Sequence, residues 1–126
     1  MQKRSVATAT LAALALGGML WTANTARAHM PFDGAWSVLI VTDAGSCDRA
    51  YRYALRIANG RIYYPDQTID VSGHVDARGH ANVVVSAGGQ RANGSGQLSG
   101  DQGQGFWHGG SSDSRCSGHW EAERRG

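Results

Sequence analysis

The sequence is poor in cysteine, and its two cysteines, Cys47 and Cys116, stand far apart. Neither belongs to a C-x-x-C pair, so the spacing of structural zinc sites is missing, and no C-x-x-C-H motif offers covalent haem attachment. An even cysteine count in a small domain of an oxidising compartment predicts a disulfide. Closing a loop of roughly 70 residues would stabilise the domain by about 4 kcal/mol through chain entropy. Two free buried thiols, or a metal-binding pair, are the alternatives.

The sequence also has no hydrophobic run suited to a membrane span of roughly 20 residues. Its longest apolar stretch, from Val6 to Trp21, follows two basic residues and is rich in Ala and Gly. A polar segment ending in Ala26-Arg27-Ala28 comes next, which is the layout of a secretory signal peptide. We expect cleavage after Ala28, so that residues 1–28 are the signal peptide and residues 29–126 form one domain in the periplasm or outside the cell. An uncleaved N-terminal anchor is the alternative.

Lysine is nearly absent, because Lys3 is the only one and lies in the predicted signal peptide. Removal of residues 1–28 would leave nine arginines and ten acidic residues, a formal net charge of −1. The formal charge of +2 of the full chain therefore reflects targeting. Nucleic-acid binding needs a concentrated basic face. We expect no nucleic-acid partner and, after processing, no integral membrane protein.

No segment after residue 28 has a helical period, whereas alternation of apolar and polar residues recurs from Gly34 to Arg124. The pair Asn59-Gly60 predicts a β-hairpin, because both central residues of a type I′ turn need positive φ. This turn would pair Ile57 with Ile62, Leu55 with Tyr64 and Arg56 with Tyr63.

Asp76 and Gly79 predict a second hairpin, with Asp at the first position of a type I turn and Gly in the left-handed position. Asp76 would then sit opposite His80. In this register every core valine points inward, whereas a one-residue slip would turn all of them outward. The turn residues and the hydrophobic pattern therefore predict the same register. The apolar set on the inner face is Ile69, Val71, Val75, Ala81, Val83 and Val85.

Glycines in the C-terminal part alternate in strict parity with large apolar residues, over residues 94–100, 103–109 and 116–122. Glycines on the inside of a tightly curved sheet leave room for neighbouring indoles; a flexible Gly/Ser region is the alternative. About eight short strands joined by turns predict an all-β fold, an antiparallel meander forming a small up-and-down barrel or a sandwich. The predicted core is Trp36, Tyr51, Tyr53, Leu55, Ile57, Ile62, Val71, Val83, Val85, Leu98, Trp107 and Trp120.

The segments "FDGAWSVLIVT", "YRYALRIANGRIYY", "GFWHG" and "CSGHWEAER" form a framework that resembles small exported proteins of alpha-proteobacteria. The resemblance covers nearly all of residues 29–126 and implies export and one compact β domain. It brings no activity and no catalytic residues. In general plan the chain is similar to avidin-like and lipocalin-like barrels, which open on a G-x-W strand as "GAW" does here.

Histidines are the first candidates for chemistry. In the second hairpin His74 and His80 lie diagonally on the polar face, together with Asp76. Imidazoles about 7 Å apart at Cβ could share Zn²⁺ or Cu²⁺, with Asp76 as the third ligand. A solvated polar face near a turn is the alternative. Cleavage after Ala28 would also make His29 the N-terminus, where its amine and ring nitrogen could chelate Cu²⁺.

Arginines form the second candidate surface. Arg52 and Arg56 alternate on the outer face of one strand, and Arg61 and Tyr63 lie on its hairpin partner. A guanidinium binds carboxylate or phosphate through two parallel hydrogen bonds. This surface could therefore bind an acidic saccharide, a lipid headgroup or a protein. A charged face that keeps the sheet soluble is the alternative.

Recognisable catalytic motifs are missing from the sequence. No G-x-S-x-G nucleophile elbow occurs, and most acidic residues lie at predicted turns, where Asp is expected for backbone reasons. We therefore expect an exported, non-catalytic binding module without a cofactor, whose target is a protein, a saccharide or a small ligand. The alternatives are a periplasmic protein that binds Zn or Cu through surface histidines, and a small hydrolase.

Overall fold

The computed structural model describes residues 30–126, and its regular elements are all strands. The predicted signal peptide, its cleavage site and the N-terminal copper ligand His29 lie outside the described residues. Within the described part of the chain, no helix is long and apolar enough to cross a bilayer. The strands are β1 (Gly34–Ala44), β2 (Ala50–Ala58), β3 (Arg61–Tyr63), β4 (Asp70–Val75), β5 (His80–Ala87), β6 (Gln90–Ser99), β7 (Gln102–Gly110) and β8 (Arg115–Arg124).

Each strand pairs antiparallel with the next, and β1 also pairs with β8, so the sheet closes into a barrel. The closing ladder runs from Trp36 opposite Arg124 to Ala44 opposite Ser117, with a register shift between Thr42 and Ala44. The ring is incompletely paired at β3: residues 50–55 of β2 and 70–72 of β4 have no ladder partner on the side of this short strand. The predicted all-β meander is confirmed, and of its two forms the chain adopts the barrel.

The first hairpin turn forms at the predicted Asn-Gly pair. Asn59 and Gly60 have φ angles of 53° and 78°, which are the positive values that a type I′ turn requires. Ile57 pairs with Ile62 across this turn, so the predicted register is confirmed.

Strand β3 is only three residues long and ends at Tyr63, which pairs with Arg56 as predicted. The predicted pairing of Leu55 with Tyr64 is wrong, because the ladder stops before it. Pro65 follows directly, and proline has no N–H to donate to a ladder.

The second turn is held together by the side chain of Asp76. The N–H of Asp76 donates to the carbonyl of His80 (3.1 Å), and Gly79, at φ 94°, donates to the carbonyl of Asp76 (3.0 Å). Oδ1 of Asp76 accepts hydrogen bonds from the N–H groups of Arg78 (2.9 Å) and His80 (3.0 Å). The predicted register is confirmed by the pairs Val71 with Val85, Gly73 with Val83 and Val75 with Ala81.

We expect acid to weaken this turn. The N–H of His80, together with that of Arg78, lowers the pKa of Asp76 because both groups donate to the charged carboxylate. Such a group stabilises the native state above its unfolded pKa of about 3.9, and the effect is lost as the pH falls through the folded pKa. Asp76→Asn should therefore lower the melting temperature at about pH 7 and have less effect at about pH 3.

Thermal unfolding followed by circular dichroism at both pH values checks this expectation. Asp113→Asn is the control, because it removes an equal charge from the exposed loop between β7 and β8. An equal loss of melting temperature for Asp76→Asn at both pH values would contradict the proposed role of the carboxylate.

Glycines on β6, β7 and β8 make room for two tryptophan rings inside the barrel. A Cβ at Gly105 would lie 2.6 Å from Cε2 and Cζ2 of Trp120, and one at Gly96 would come closer still to Cζ2. A Cβ at Gly118 would lie 2.9 Å from Nε1 of Trp107. At each of these glycines a Cβ would also collide with a backbone carbonyl of a neighbouring strand, those of Gln104, Ser95 and Val41. The glycines therefore leave room for the indoles, as predicted, and also allow the strands to approach closely.

The most deeply buried side chains lie toward one end of the barrel, which we call the closed end. Residues 30–33 fold across it: the carboxylate of Asp33 accepts hydrogen bonds from the N–H groups of Asn59 (2.7 Å) and Gly60 (3.0 Å). The carbonyl of Phe32 accepts one from Nε1 of Trp36 (2.8 Å). The buried core consists of Phe32, Trp36, Val38, Ile57, Ile62, Val75, Ala81, Leu98, Trp120 and Ala122.

Cys47 and Cys116 form the predicted disulfide, with their Cα atoms 6.1 Å apart. Cys47 lies in the loop between β1 and β2, and Cys116 lies on β8. The bond therefore ties this loop to the strand that completes the barrel.

Candidate ligand-binding site

A cavity of about 200 Å³ occupies the barrel beyond the closed end, and all eight strands contribute to its lining. Its floor contains buried core residues, among them Trp36, Ile57, Leu98 and Trp120. Its walls are half-buried apolar side chains packed against that core: Ile40, Leu55, Val71, Val83 and Trp107. The lower part of the barrel is thus filled, while the upper part keeps an apolar space.

The indole N–H groups that border the cavity are all engaged by backbone carbonyls. Nε1 of Trp107 donates to the carbonyl of Val41 at 2.9 Å, and Nε1 of Trp120 donates to that of Ser95 at 3.2 Å. Trp36 donates to the segment that covers the closed end. Indole has no other hydrogen-bonding group, so the tryptophans offer the cavity apolar ring atoms only.

The cavity opens at the other end of the barrel, which we call the mouth. Four connections surround it, namely residues 45–49, 64–69, 88–89 and 111–114. Among the described residues, charged side chains line the cavity only at this rim, where Asp48 and Arg91 lie. A molecule that enters the barrel would therefore pass from a polar rim into an apolar interior.

Three tyrosines flank one side of the mouth. The ring centroids of Tyr51 and Tyr53 are 5.9 Å apart with the planes inclined by 32°, and those of Tyr53 and Tyr64 are 5.9 Å apart with the planes at 89°. Burial, with a smaller effect of Tyr64, raises the pKa of Tyr53, so this phenol stays neutral. Tyr51 and Tyr53 belong to the cavity lining. The prediction of Tyr51 as a core residue is wrong: it is 46% exposed, because it lies near the start of β2 at the mouth.

Asp48 is held at the rim by contacts with the two strands that flank its loop. The hydroxyl of Tyr51 donates to Oδ2 of Asp48, and this hydrogen bond to a carboxylate raises the pKa of Tyr51. Oγ1 of Thr42 donates to the carbonyl of Asp48 at 2.6 Å, and the N–H of Thr42 donates to that of Arg49 at 2.9 Å. The disulfide fixes the preceding residue, Cys47. The position of the carboxylate is therefore set by the protein itself.

Among residues 30–126, Arg91 is the other charged residue that lines the cavity at the rim. It follows the turn Gly88-Gly89 near the start of β6. In a ring of eight strands β6 lies opposite β2, so Arg91 and the tyrosines are on opposite sides of the mouth. Within residues 30–126, the ion pairs formed by arginine involve Arg124 and Arg125 and not Arg91.

The predicted arginine surface lies on the outside of the barrel and contributes nothing to the cavity lining. Arg56 pairs with Tyr63 across the first hairpin, and Arg61 stands at the other end of β3. Nη1 of Arg52 donates to Oγ of Ser37 at 3.0 Å. The four predicted side chains are exposed on neighbouring strands, and binding by them stays a prediction.

The predicted metal ligands also lie outside the cavity. Nδ1 of His80 is 3.4 Å from Oδ2 of Asp76, and His74 pairs with Asn82, diagonal to His80 as the register predicts. Across residues 30–126, no three His, Cys, Asp or Glu side chains form a group that could hold a metal ion. Metal binding at these residues stays a prediction.

Asp48, Tyr64 and Arg91 are rim residues that no sequence motif marks. An Asp in a short connection is expected for backbone reasons, and one arginine after a glycine turn is unremarkable. One signal was present for Asp48: it follows Cys47 directly and precedes Tyr51 by three positions. The predicted disulfide at Cys47 and the predicted inward orientation of Tyr51 together indicate that Asp48 lies at one end of the barrel.

No protein-family model matches this chain, and comparisons with curated proteins and with solved structures also find no match. The function of this protein is therefore inferred from the geometry and chemistry of the barrel alone.

Proposed function

We propose that this protein is an exported binding module that holds a small apolar molecule inside its barrel. The observation that carries the proposal is the cavity of about 200 Å³, which is open at the mouth and apolar below the rim. Ligand sites in proteins are mostly apolar, with a small number of polar groups that orient the ligand. The barrel has this arrangement, since its charged lining residues stand only at the rim.

The volume of the cavity limits the size of the ligand. An engineered apolar cavity of about 150 Å³ stays dry and binds benzene, so this barrel suits a molecule with about eight to ten non-hydrogen atoms inside it. Sites for larger ligands have volumes of about 300–1,000 Å³. A larger ligand would therefore extend through the mouth. For a molecule of this size we expect a dissociation constant between about 1 μM and 1 mM.

The disulfide supports export of the protein, and the apolar lining of the cavity supports a role in binding. Disulfides persist in oxidising compartments, so the bond between Cys47 and Cys116 favours export. No charged side chain of residues 30–126 lines the cavity below its rim, and general acid–base or nucleophilic catalysis needs an ionisable or nucleophilic group in contact with the substrate. An apolar interior is suited to binding.

Titration calorimetry with n-octanol tests the proposal. We expect saturable binding of octanol to the wild-type protein. Binding to Val85→Phe should be at least about tenfold weaker, because the phenyl ring is larger than the valine side chain and would occupy part of the cavity. Val85 lines the cavity near the mouth. The matched control is Val84→Phe, the adjacent position on the same strand, whose side chain faces outward beside Ser72 and Asn93.

Circular dichroism should first show that both variants are folded. The absence of saturable binding to the wild-type protein would sink the proposal. Equal weakening by the two substitutions would place the bound octanol outside the cavity and would sink it as well.

A further inference from the structure

The two sides of the mouth differ in chemistry, and this difference selects a ligand class. We propose that the bound molecule carries a cationic ammonium group, which sits at the mouth against Asp48 and the aromatic cluster Tyr51, Tyr53 and Tyr64, while its apolar part fills the barrel. This inference rests on the proposed function and adds the charge of the ligand to it.

The aromatic cluster is the first support. A cation is attracted to the face of an aromatic ring within about 6 Å, and groups of aromatic residues recognise quaternary ammonium ligands in this way. Tyr53 and Tyr64 meet at 89°, so their ring planes form a corner, and Tyr51 extends the cluster toward the rim. The neutral phenols of Tyr51 and Tyr53 bring no competing charge.

The carboxylate of Asp48 is the second support. Oδ2 accepts the hydroxyl of Tyr51, and among residues 30–126 no Arg or His side chain forms an ion pair with Asp48. Asp48 and Tyr51 both belong to the cavity lining. A negative charge therefore stands beside the aromatic rings, at the point where a polar group leaving the apolar interior would emerge.

Preorganisation distinguishes this side of the mouth from the side of Arg91. The loop of Asp48 is fixed by the disulfide and by the two hydrogen bonds of Thr42. The backbone of Arg91, on β6, is paired with Ser86 and Gly110, but within residues 30–126 its guanidinium forms no ion pair, whereas Oδ2 of Asp48 accepts the hydroxyl of Tyr51. Binding costs less free energy when the recognising groups are already ordered. The geometry thus favours a cation at Asp48 over an anion at Arg91.

Three probes with the same alkyl chain separate these alternatives: n-octyltrimethylammonium, n-octanol and n-octanoate. We expect the cation to bind at least about tenfold more tightly than the alcohol, and the carboxylate to bind more weakly than the cation. Titration calorimetry of the wild-type protein at low ionic strength measures all three. Binding of octanoate as tight as that of the cation would overturn the inference and would leave the apolar site standing.

Variants locate the preference. Asp48→Asn keeps the acceptor for Tyr51 and should remove the preference for the cation over octanol, whereas Asp113→Asn changes the net charge equally at the same end of the barrel and should keep it. Tyr53→Leu should reduce the preference and Tyr53→Phe should retain it, because phenylalanine keeps a ring face. A preference that survives both Asp48→Asn and Tyr53→Leu would overturn the inference. Failure of octanol itself to bind would overturn the proposed function, and the inference with it.

Discussion

Replacing Cys47 and Cys116 together by serine should lower the free energy of unfolding by about 4 kcal/mol. The bond spans a sequence separation of 69 residues, and the entropy that a cross-link removes from the unfolded chain grows with the length of the closed loop. Domains of this size have total stabilities of about 5–15 kcal/mol. We therefore expect a fall in melting temperature of roughly 15–30 °C and a partly unfolded population at physiological temperature.

Urea unfolding followed by tryptophan fluorescence measures this effect in the wild-type protein, in the double variant and in Ser46→Ala. Ser46 is an exposed residue of the same loop, so its substitution changes the loop and retains the disulfide. Ser46→Ala should stay close to the wild type. A loss below about 1 kcal/mol for the double variant would mean that the closed β1–β8 ladder, and not the cross-link, holds the barrel shut.

Local chemistry explains why so much of the fold is predictable. The turns at Asn59-Gly60 and at Asp76–Gly79 set the register of two hairpins through φ angles that few residues adopt. The glycines are spaced by two residues from Trp107 and Trp120, so they lie on the same face of the sheet as these rings, and this indicates which face is inside. These signals act over a few residues, so they can be found in a single sequence.

Closure of the barrel is a different matter, because it depends on pairing between the two ends of the domain. Alternation of inward and outward residues is the same in a barrel and in a sandwich. The pairing that distinguishes a barrel from a sandwich here is the β1–β8 ladder, which runs from Trp36 opposite Arg124 to Ala44 opposite Ser117. No turn motif encodes a pairing over such a distance.

The cavity escapes sequence reasoning because parity gives the face of a residue and not its depth. Tyr51, Tyr53 and Ile57 share one face of β2, yet Ile57 is buried at the closed end, Tyr53 is half-buried and Tyr51 is exposed at the mouth. How deep a residue lies in the barrel depends on where its strand begins relative to the neighbouring strands. The predicted core therefore combines residues of the cavity floor with residues of the rim, and the sequence does not reveal the space between them.

Gly105→Ala should destabilise the barrel by about 1–3 kcal/mol, which is the usual cost of overpacking a well-packed core. The added Cβ would collide with the backbone carbonyl oxygen of Ser95 and would lie 2.6 Å from two atoms of the Trp120 ring. The ring has little freedom to move away, because its Nε1 donates to the carbonyl of Ser95 and Gly96 lies against it as well. Gly89→Ala is the control: a Cβ there has no neighbour within 4 Å, and the loss of unfolded-chain entropy should leave stability unchanged or slightly raised.

A double-mutant cycle decides whether the collision with Trp120 is the cause. The Ser95 carbonyl is the same in a Trp120→Phe background, but the smaller ring leaves more space for the methyl group, so Gly105→Ala should cost less there. A coupling free energy of about 1 kcal/mol would be the share of the cost that is due to the ring. Urea unfolding of the four proteins measures it. Additive losses would mean that the close approach of the Ser95 carbonyl, and not the indole, requires glycine at position 105. In that case the inward glycines would shape the barrel through its backbone, and the room they leave for the tryptophans would be a consequence of that close approach.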